Sequence, residues 1–352
     1  MKRFLIIALA FLMLLCTACS KKTDDSANNG PSVAPTPGSA DEPYVPSDYD
    51  ALTGLPVDEP SALRPFAVMV NNIIYAQPQV GTSKAAWIYE VEAEGGITRM
   101  IAVFSDLDDV SSLGSIRSVR PYYLSIARSY DAILVHAGGS DAAYSELDSS
   151  GYDHIDGVRN AEDNASVYYR DPSRGAHGTE HTLFLYADKV AAYAEQKGIR
   201  MEHKGDYTSA LNFSDDAADQ GVGAANTVNV AVTKSKTTSF TYHPDTGMYT
   251  AAQYGSDYID GGTNEIVSFA NVMVLNTTIH MTGDEKGHNE VAVVGSGTGY
   301  LFTGGQYVPI KWSRADIDSP FTYTLEDGSA LYLSRGATYC CIVNNGASVD
   351  IA

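Results

Sequence analysis

The sequence predicts an α+β protein in two parts: a first half that mixes strands with helices, and a mainly β second half. Strand-like runs and amphipathic stretches alternate between Asp50 and Lys197. From Thr227 to Val343 only short β-like segments follow, parted by Gly and Asp-Gly turns. Between them, 205–225 is acidic and rich in Gly and Ala, a linker or long loop. The expected divisions are 1–18, 19–49, 50–204, 205–225 and 226–352.

The chain starts with an export signal. Lys2 and Arg3 precede an apolar run from Phe4 to Leu15, too short for a permanent membrane span. Leu15-Cys16-Thr17-Ala18-Cys19-Ser20 resembles a bacterial lipobox, with small Ala18 before Cys19. Cleavage after Ala18 and lipidation of Cys19 are expected, which puts the protein on the outer face of the cytoplasmic membrane. Residues 19–49, mostly Ser, Asn, Asp, Gly, Pro and Ala, read as a flexible tether. With 43 acidic against 23 basic residues, no stretch carries the Lys/Arg excess that nucleic acid requires.

In the first half, Pro65 to Asn71 and Ala85 to Glu92 read as strands, the second alternating. Trp87, Tyr89 and Val91 share one face, and Ile88, Glu90, Glu92 and Glu94 the other. Gly95-Gly96 predicts a two-residue hairpin turn into the strand Ile97 to Ser105, which sets Glu92 opposite Arg99 as a cross-strand ion pair. Pro121 opens an amphipathic helix to about Arg128, so Arg117 and Arg120 lie on the approach to its N-terminus, where anions are favoured. Asp131 to Val135 is a buried strand ending in His136 and Gly138-Gly139-Ser140, with a helix to about Leu147 behind it.

Tyr168 to Leu185 gathers Arg170, Arg174, His177, Glu180 and His181 before a helix to about Lys197. His177, Glu180 and His181 have the spacing of an inverted zinc-protease motif, yet Gly178 and Thr179 occupy positions that must be helical. No metal site is expected, and no cofactor. Asp257, Asp260 and Asn264 lack the EF-hand pattern and read as turn formers. Cys340 and Cys341 read as small buried residues on opposite faces of one strand.

Ionisable groups in otherwise apolar sequence mark the candidate site, because a buried charge must find a partner or be neutralised. The candidate ligand-binding residues are Glu90, Arg99, Arg117, Arg120, His136, Arg170, Arg174 and His181. Glu92 and Glu94 are candidate acid and base for glycan cleavage.

Taken together, LTGLPVDE (Leu52 to Glu59), RPFAVMVNN (Arg64 to Asn72), YEVEAEGGITR (Tyr89 to Arg99), GSIRSVRPYY (Gly114 to Tyr123) and YDAILVHAGGS (Tyr130 to Ser140) carry a resemblance. With NVMVL (Asn271 to Leu275), VPIKWSR (Val308 to Arg314) and LEDGSALYLSRGATY (Leu325 to Tyr339), the chain resembles the YerB-like lipoproteins of Gram-positive bacteria. That resemblance implies a layered β/β/α sandwich-like N-terminal domain, a β domain behind it, an envelope location and no established catalytic residues. This chain has Glu180 and Thr182 where the family has Pro and Asn either side of His181, and Ala251 and Tyr258 where it has Arg and His. Three functions fit: binding a cell-wall glycan or a wall-synthesis protein without catalysis, cleaving such a glycan, or capturing a solute.

Overall fold

A computed structural model of the protein describes residues 46–352. The expected signal, the expected lipidation site Cys19 and most of the expected tether lie outside the described residues. The first half contributes β1 (Phe66–Asn72), β2 (Trp87–Glu92), β3 (Thr98–Phe104), β4 (Ser112–Gly114), β5 (Ile133–His136), β6 (His154–Asp156), β7 (Tyr168–Arg170) and β8 (Leu183–Tyr186). Helices α1 (Pro121–Ser129), α2 (Asp141–Ser150), α3 (Ala161–Val167) and α4 (Val190–Gln196) are set among them. The second half contributes β9 (Gly223–Ala224), β10 (Thr227–Ala231), β11 (Thr237–His243), β12 (Met248–Gln253), β13 (Ser256–Asp257), β14 (Ser268–Phe269) and β15 (Asn271–Thr277). It continues with β16 (Ile279–Met281), β17 (Asn289–Val291), β18 (Gly295–Thr303), β19 (Gln306–Arg314), β20 (Thr322–Leu325), β21 (Thr338–Asn344) and β22 (Val349–Ile351).

The two halves share their largest sheet, whose order is β20-β19-β18-β15-β21-β2-β3-β1-β5-β6. Strand β21 is the seam, parallel to β15 on one side and to β2 on the other, with Trp87 beside Thr338 and Val91 beside Ile342. Its sequence TYCCIVN is apolar almost throughout because both of its faces are covered. Cys340 enters one core and Cys341 the other, and both are free thiols.

A second sheet, β13-β12-β11-β10-β22, packs Val228, Val230, Phe240 and Tyr249 against Ile88, Met100 and Ala102 of the shared sheet. On the opposite face, Trp87, Tyr89 and Val91 pack with Tyr123, Leu124 and Ile126 of α1. The result is a β/β/α layering, with the alternation of β2 dividing its side chains between two cores. The stretch 205–225 runs over the helix-side core, burying Leu211 and Phe213 before β9 joins β19.

One local expectation is corrected. The turn between β2 and β3 holds three residues, Glu94–Gly96, with Gly95 and Gly96 both left-handed at φ 69° and 74°. Register shifts by one place, so Val91 faces Arg99 and Glu92 faces Thr98. Because facing residues share a sheet face, Arg99 points to the helix side and Glu92 to the other, and the expected Glu92–Arg99 pair does not form.

Candidate functional site

The acidic residues of β2 and its turn meet two opposite fates. Glu90 is fully buried between the two sheets and ion-paired with Lys236, itself buried. Its Oε1 accepts from Asn72 Nδ2 at 2.9 Å and Thr98 Oγ1 at 2.7 Å, and its Oε2 accepts from Thr238 Oγ1 at 2.7 Å and Tyr339 OH at 2.8 Å. Lys236 Nζ also donates to Gln253 Oε1 at 2.9 Å and sits 5.2 Å from the centre of the Tyr254 ring. Burial would raise the pKa of Glu90, but the Lys236 ammonium and the hydroxyl donors outweigh it and hold the carboxylate below its usual range. Every acceptor site is taken and water is excluded, so Glu90 joins the halves and is withdrawn from the ligand-binding set.

Glu94 projects from the turn toward arginines instead. Its Oε1 accepts from Arg99 Nη2 at 2.8 Å and also from Arg120 Nη2. Burial acts to raise its pKa, yet the charges of Arg99 and Arg120 prevail and hold it at about 2. Arg117 completes the group: it senses the charges of Arg99, Arg120, Glu94 and Glu180, and burial pulls its pKa down while it stays a cation. Two guanidinium groups therefore hold the Glu94 carboxylate, and a third, Arg117, lies near enough to feel its charge and that of Glu180. The Nε atoms of Arg99, Arg117 and Arg120 and the Oε2 of Glu94 lack partners among the described residues. The local sequence explains the gathering. Left-handed glycines return the chain so that Glu94 overhangs the helix side, the corrected register points Arg99 there, and Pro121 starts α1 directly after Arg120, which donates to the Val119 carbonyl at 2.8 Å.

The remaining candidates separate. His181 is buried beside Arg117, its Nδ1 2.9 Å from Asn71 Nδ2; burial first, then the Arg117 and His177 charges, lowers its pKa against the pull of Glu180. Arg170 bonds the Thr179 carbonyl and Thr182 Oγ1, both at 2.8 Å, and Arg174 bonds the carbonyls of Ala76 and Pro78 at 2.7 and 2.6 Å. Both therefore brace the loop that carries His181. His136 is sealed, donating from Nδ1 to the Gly138 carbonyl at 2.8 Å, and burial lowers its pKa to about 4, so it is neutral at neutral pH. It orders the Gly138 turn and leaves the ligand-binding set with Glu90. Glu92 feels Lys234 rather than an arginine, and burial raises its pKa.

The His177-Glu180-His181 segment forms short 3-10 turns, with His177 stacked on Tyr75 at 4.1 Å. Among the described residues, no three His, Cys, Asp or Glu side chains gather as a metal site. Asp260 accepts the Gly262 amide at 2.8 Å within its own turn and also reaches the first half, accepting the amides of Gly81 and Ser83 at 2.9 and 2.8 Å.

Arg120 also borders a cleft of about 660 Å³ between the starts of α1 and α2 and the β16–β17 hairpin. Sequence reasoning missed this cleft, and it missed Lys236, Thr238 and Tyr339 around Glu90. Those three residues and the hairpin wall of the cleft are brought in from the second half, with no local signal to announce them.

Comparison with known proteins agrees with this architecture. The chain is 29% identical over 349 residues to "Putative lipoprotein YerB" of Bacillus subtilis (strain 168), covering 97% of this chain and 96% of that protein. The crystal structure of YerB protein from Bacillus subtilis superimposes with a TM-score of 0.73 at 28% identity, covering 86% of this chain and 99% of that one. Family models match twice, the "Protein of unknown function (DUF3048) N-terminal domain" at 52–200 and its C-terminal domain at 228–340. The chain belongs to the DUF3048 family, carrying both its N-terminal and its C-terminal domain.

Proposed function

We propose that the protein is a non-catalytic lipoprotein, anchored through Cys19 on the outer face of the cytoplasmic membrane, that binds an acidic cell-wall glycan through Arg99, Arg117 and Arg120. The name of the Bacillus subtilis relative and the lipobox support the anchor. The observation that carries the binding role is a cation surplus: Arg99 and Arg120 already hold Glu94, and Arg117, near enough to feel their charges, makes no ion pair among the described residues. The Arg117 guanidinium suits bidentate capture of a carboxylate or phosphate, with the charges of Arg99 and Arg120 behind it. Arg117 offers the least encumbered contact, since it makes no ion pair among the described residues.

Glycan cleavage draws less support from the same geometry. A carboxylic acid donor must hold its proton near the working pH, whereas Glu94 is ionised down to about pH 2. Glu92 faces the other side of the sheet, toward Lys234. Titration calorimetry with solubilised wall glycan tests the reading. The wild type is expected to bind with an affinity that falls as salt rises, and Arg117→Glu to bind at least tenfold more weakly. Binding that ignores both changes contradicts it, and capture of a wall-synthesis protein in place of the glycan redirects it.

A further inference from the structure

The cleft beside the arginine cluster has a polarity of its own. Helices α1 and α2 start at the same edge, where the Val119 and Gly139 segments pair in parallel and the Ser140 amide donates to the Val119 carbonyl at 3.3 Å. Pro121 has no amide, that of Tyr123 bonds the Arg120 carbonyl and that of Ala143 bonds Ser140 Oγ, which leaves the first-turn amides of Tyr122, Asp141 and Ala142 at the cleft wall. Arg120 also lines this end, 6% exposed, its Nη atoms held by Glu94 and the Val119 carbonyl and its Nε without a partner among the described residues. One end of the cleft is therefore built for an anion.

The facing wall is apolar, formed by Val291, Val293, Val294 and Ile317. Most acids around the opening are already engaged: Asp141 with Lys286 at 3.2 Å, Asp284 with His288 at 2.5 Å, and Glu290 with His280 at 3.4 Å. Glu146 differs, because its Oε1 is buried without a partner. It lies five residues after Asp141 on α2, about 7 Å along the helix axis. An anion seat, an apolar wall and an unpaired carboxylate one to two turns away match a ligand with a carboxylate, small apolar side chains and an amine. Two or three peptide units span that separation.

We propose that this cleft binds the C-terminal end of a short peptide, its carboxylate on Arg120 and the α1 and α2 first turns, its apolar side chains on Val291 and Val293, and its amine toward Glu146. Backbone capture of a C-terminal carboxylate is an established recognition mode, and the cleft volume lies within the roughly 300–1,000 Å³ range of small-ligand sites. The proposal shares Arg120 with the glycan reading but rests on surfaces that Arg117 does not touch.

The test is calorimetry on the purified protein with tri-alanine, its C-terminal amide and octanoate. Tri-alanine is expected to bind, and amidation to weaken it about tenfold, as loss of a charge-assisted contact requires. Ala142→Trp, an exposed substitution that fills the mouth of the cleft, is expected to abolish binding with an unchanged melting midpoint, while Arg117→Glu leaves it intact. No tri-alanine binding, equal binding of the amide, preference for octanoate, or insensitivity to Ala142→Trp overturns the proposal. Loss of glycan binding in Arg117→Glu with tri-alanine binding absent throughout sinks this proposal alone; the reverse pattern sinks only the glycan reading.

Discussion

Glu90 and Glu94 sit four residues apart and differ in almost every physical respect. Glu90 is enclosed, meets one cation and four neutral donors, and lies between the two sheets. Glu94 keeps 20% of its side chain exposed and meets two cations with a third nearby. A charge that is matched and enclosed contributes to cohesion, and one that is outnumbered on a partly exposed turn leaves cationic capacity for a ligand. The difference follows from the strand ending between them: Glu90 is fixed by the pleat of β2, whereas Glu94 rides on a glycine turn that carries it to the helix side.

The largest effect is expected at the enclosed pair. Lys236→Met leaves Glu90 charged and uncompensated in the interior, and should destabilise the protein by about 3–5 kcal/mol in urea unfolding. Adding Glu90→Gln should recover part of that loss, since no charge then remains to be matched. A single substitution costing under about 1 kcal/mol would mean the pair is hydrated.

A smaller effect belongs to Glu94. Its depressed pKa means its contribution is complete above the ordinary carboxylate value of about 4.3 and disappears as pH falls through about 2. Glu94→Gln should lower stability at neutral pH by about 1–2 kcal/mol, less than the buried pair because this carboxylate is partly solvated. The variant should also be flatter than the wild type in stability between those two pH values. Parallel pH profiles would show that Arg99 and Arg120 do not hold Glu94.

How much of this was legible in the sequence depends on the reach of each contact. Alternation in 87–93 placed Trp87, Tyr89 and Val91 on one face and Ile88 and Glu90 on the other, and the two cores receive them so. Pro121 marked the start of α1 and with it the position of Arg120. The turn was misjudged because two glycines fit both a two-residue and a three-residue loop, and only the tertiary setting selects the register. The partner of Glu90 lies 146 residues away, in a Lys-Ser-Lys run that reads as surface. Likewise, nothing in 279–294 signals that its hairpin faces two helices of the first half.

At the foot of the scale stands Arg117→Glu, whose stability should match the wild type within about 0.5 kcal/mol because the side chain holds no partner in place. A shift in melting midpoint comparable to that of Glu94→Gln would make Arg117 a structural residue.

The contrast between the two sites is tested most directly by chemical footprinting read by mass spectrometry, with an amine-acylating and a guanidinium-selective reagent applied to the folded protein. Exposed Lys234 is expected to be acylated while Lys236, two residues on, is not, and Arg117 to be modified and then protected when wall glycan is added. Acylation of Lys236 at the rate of Lys234, or an Arg117 that glycan leaves fully reactive, would contradict it.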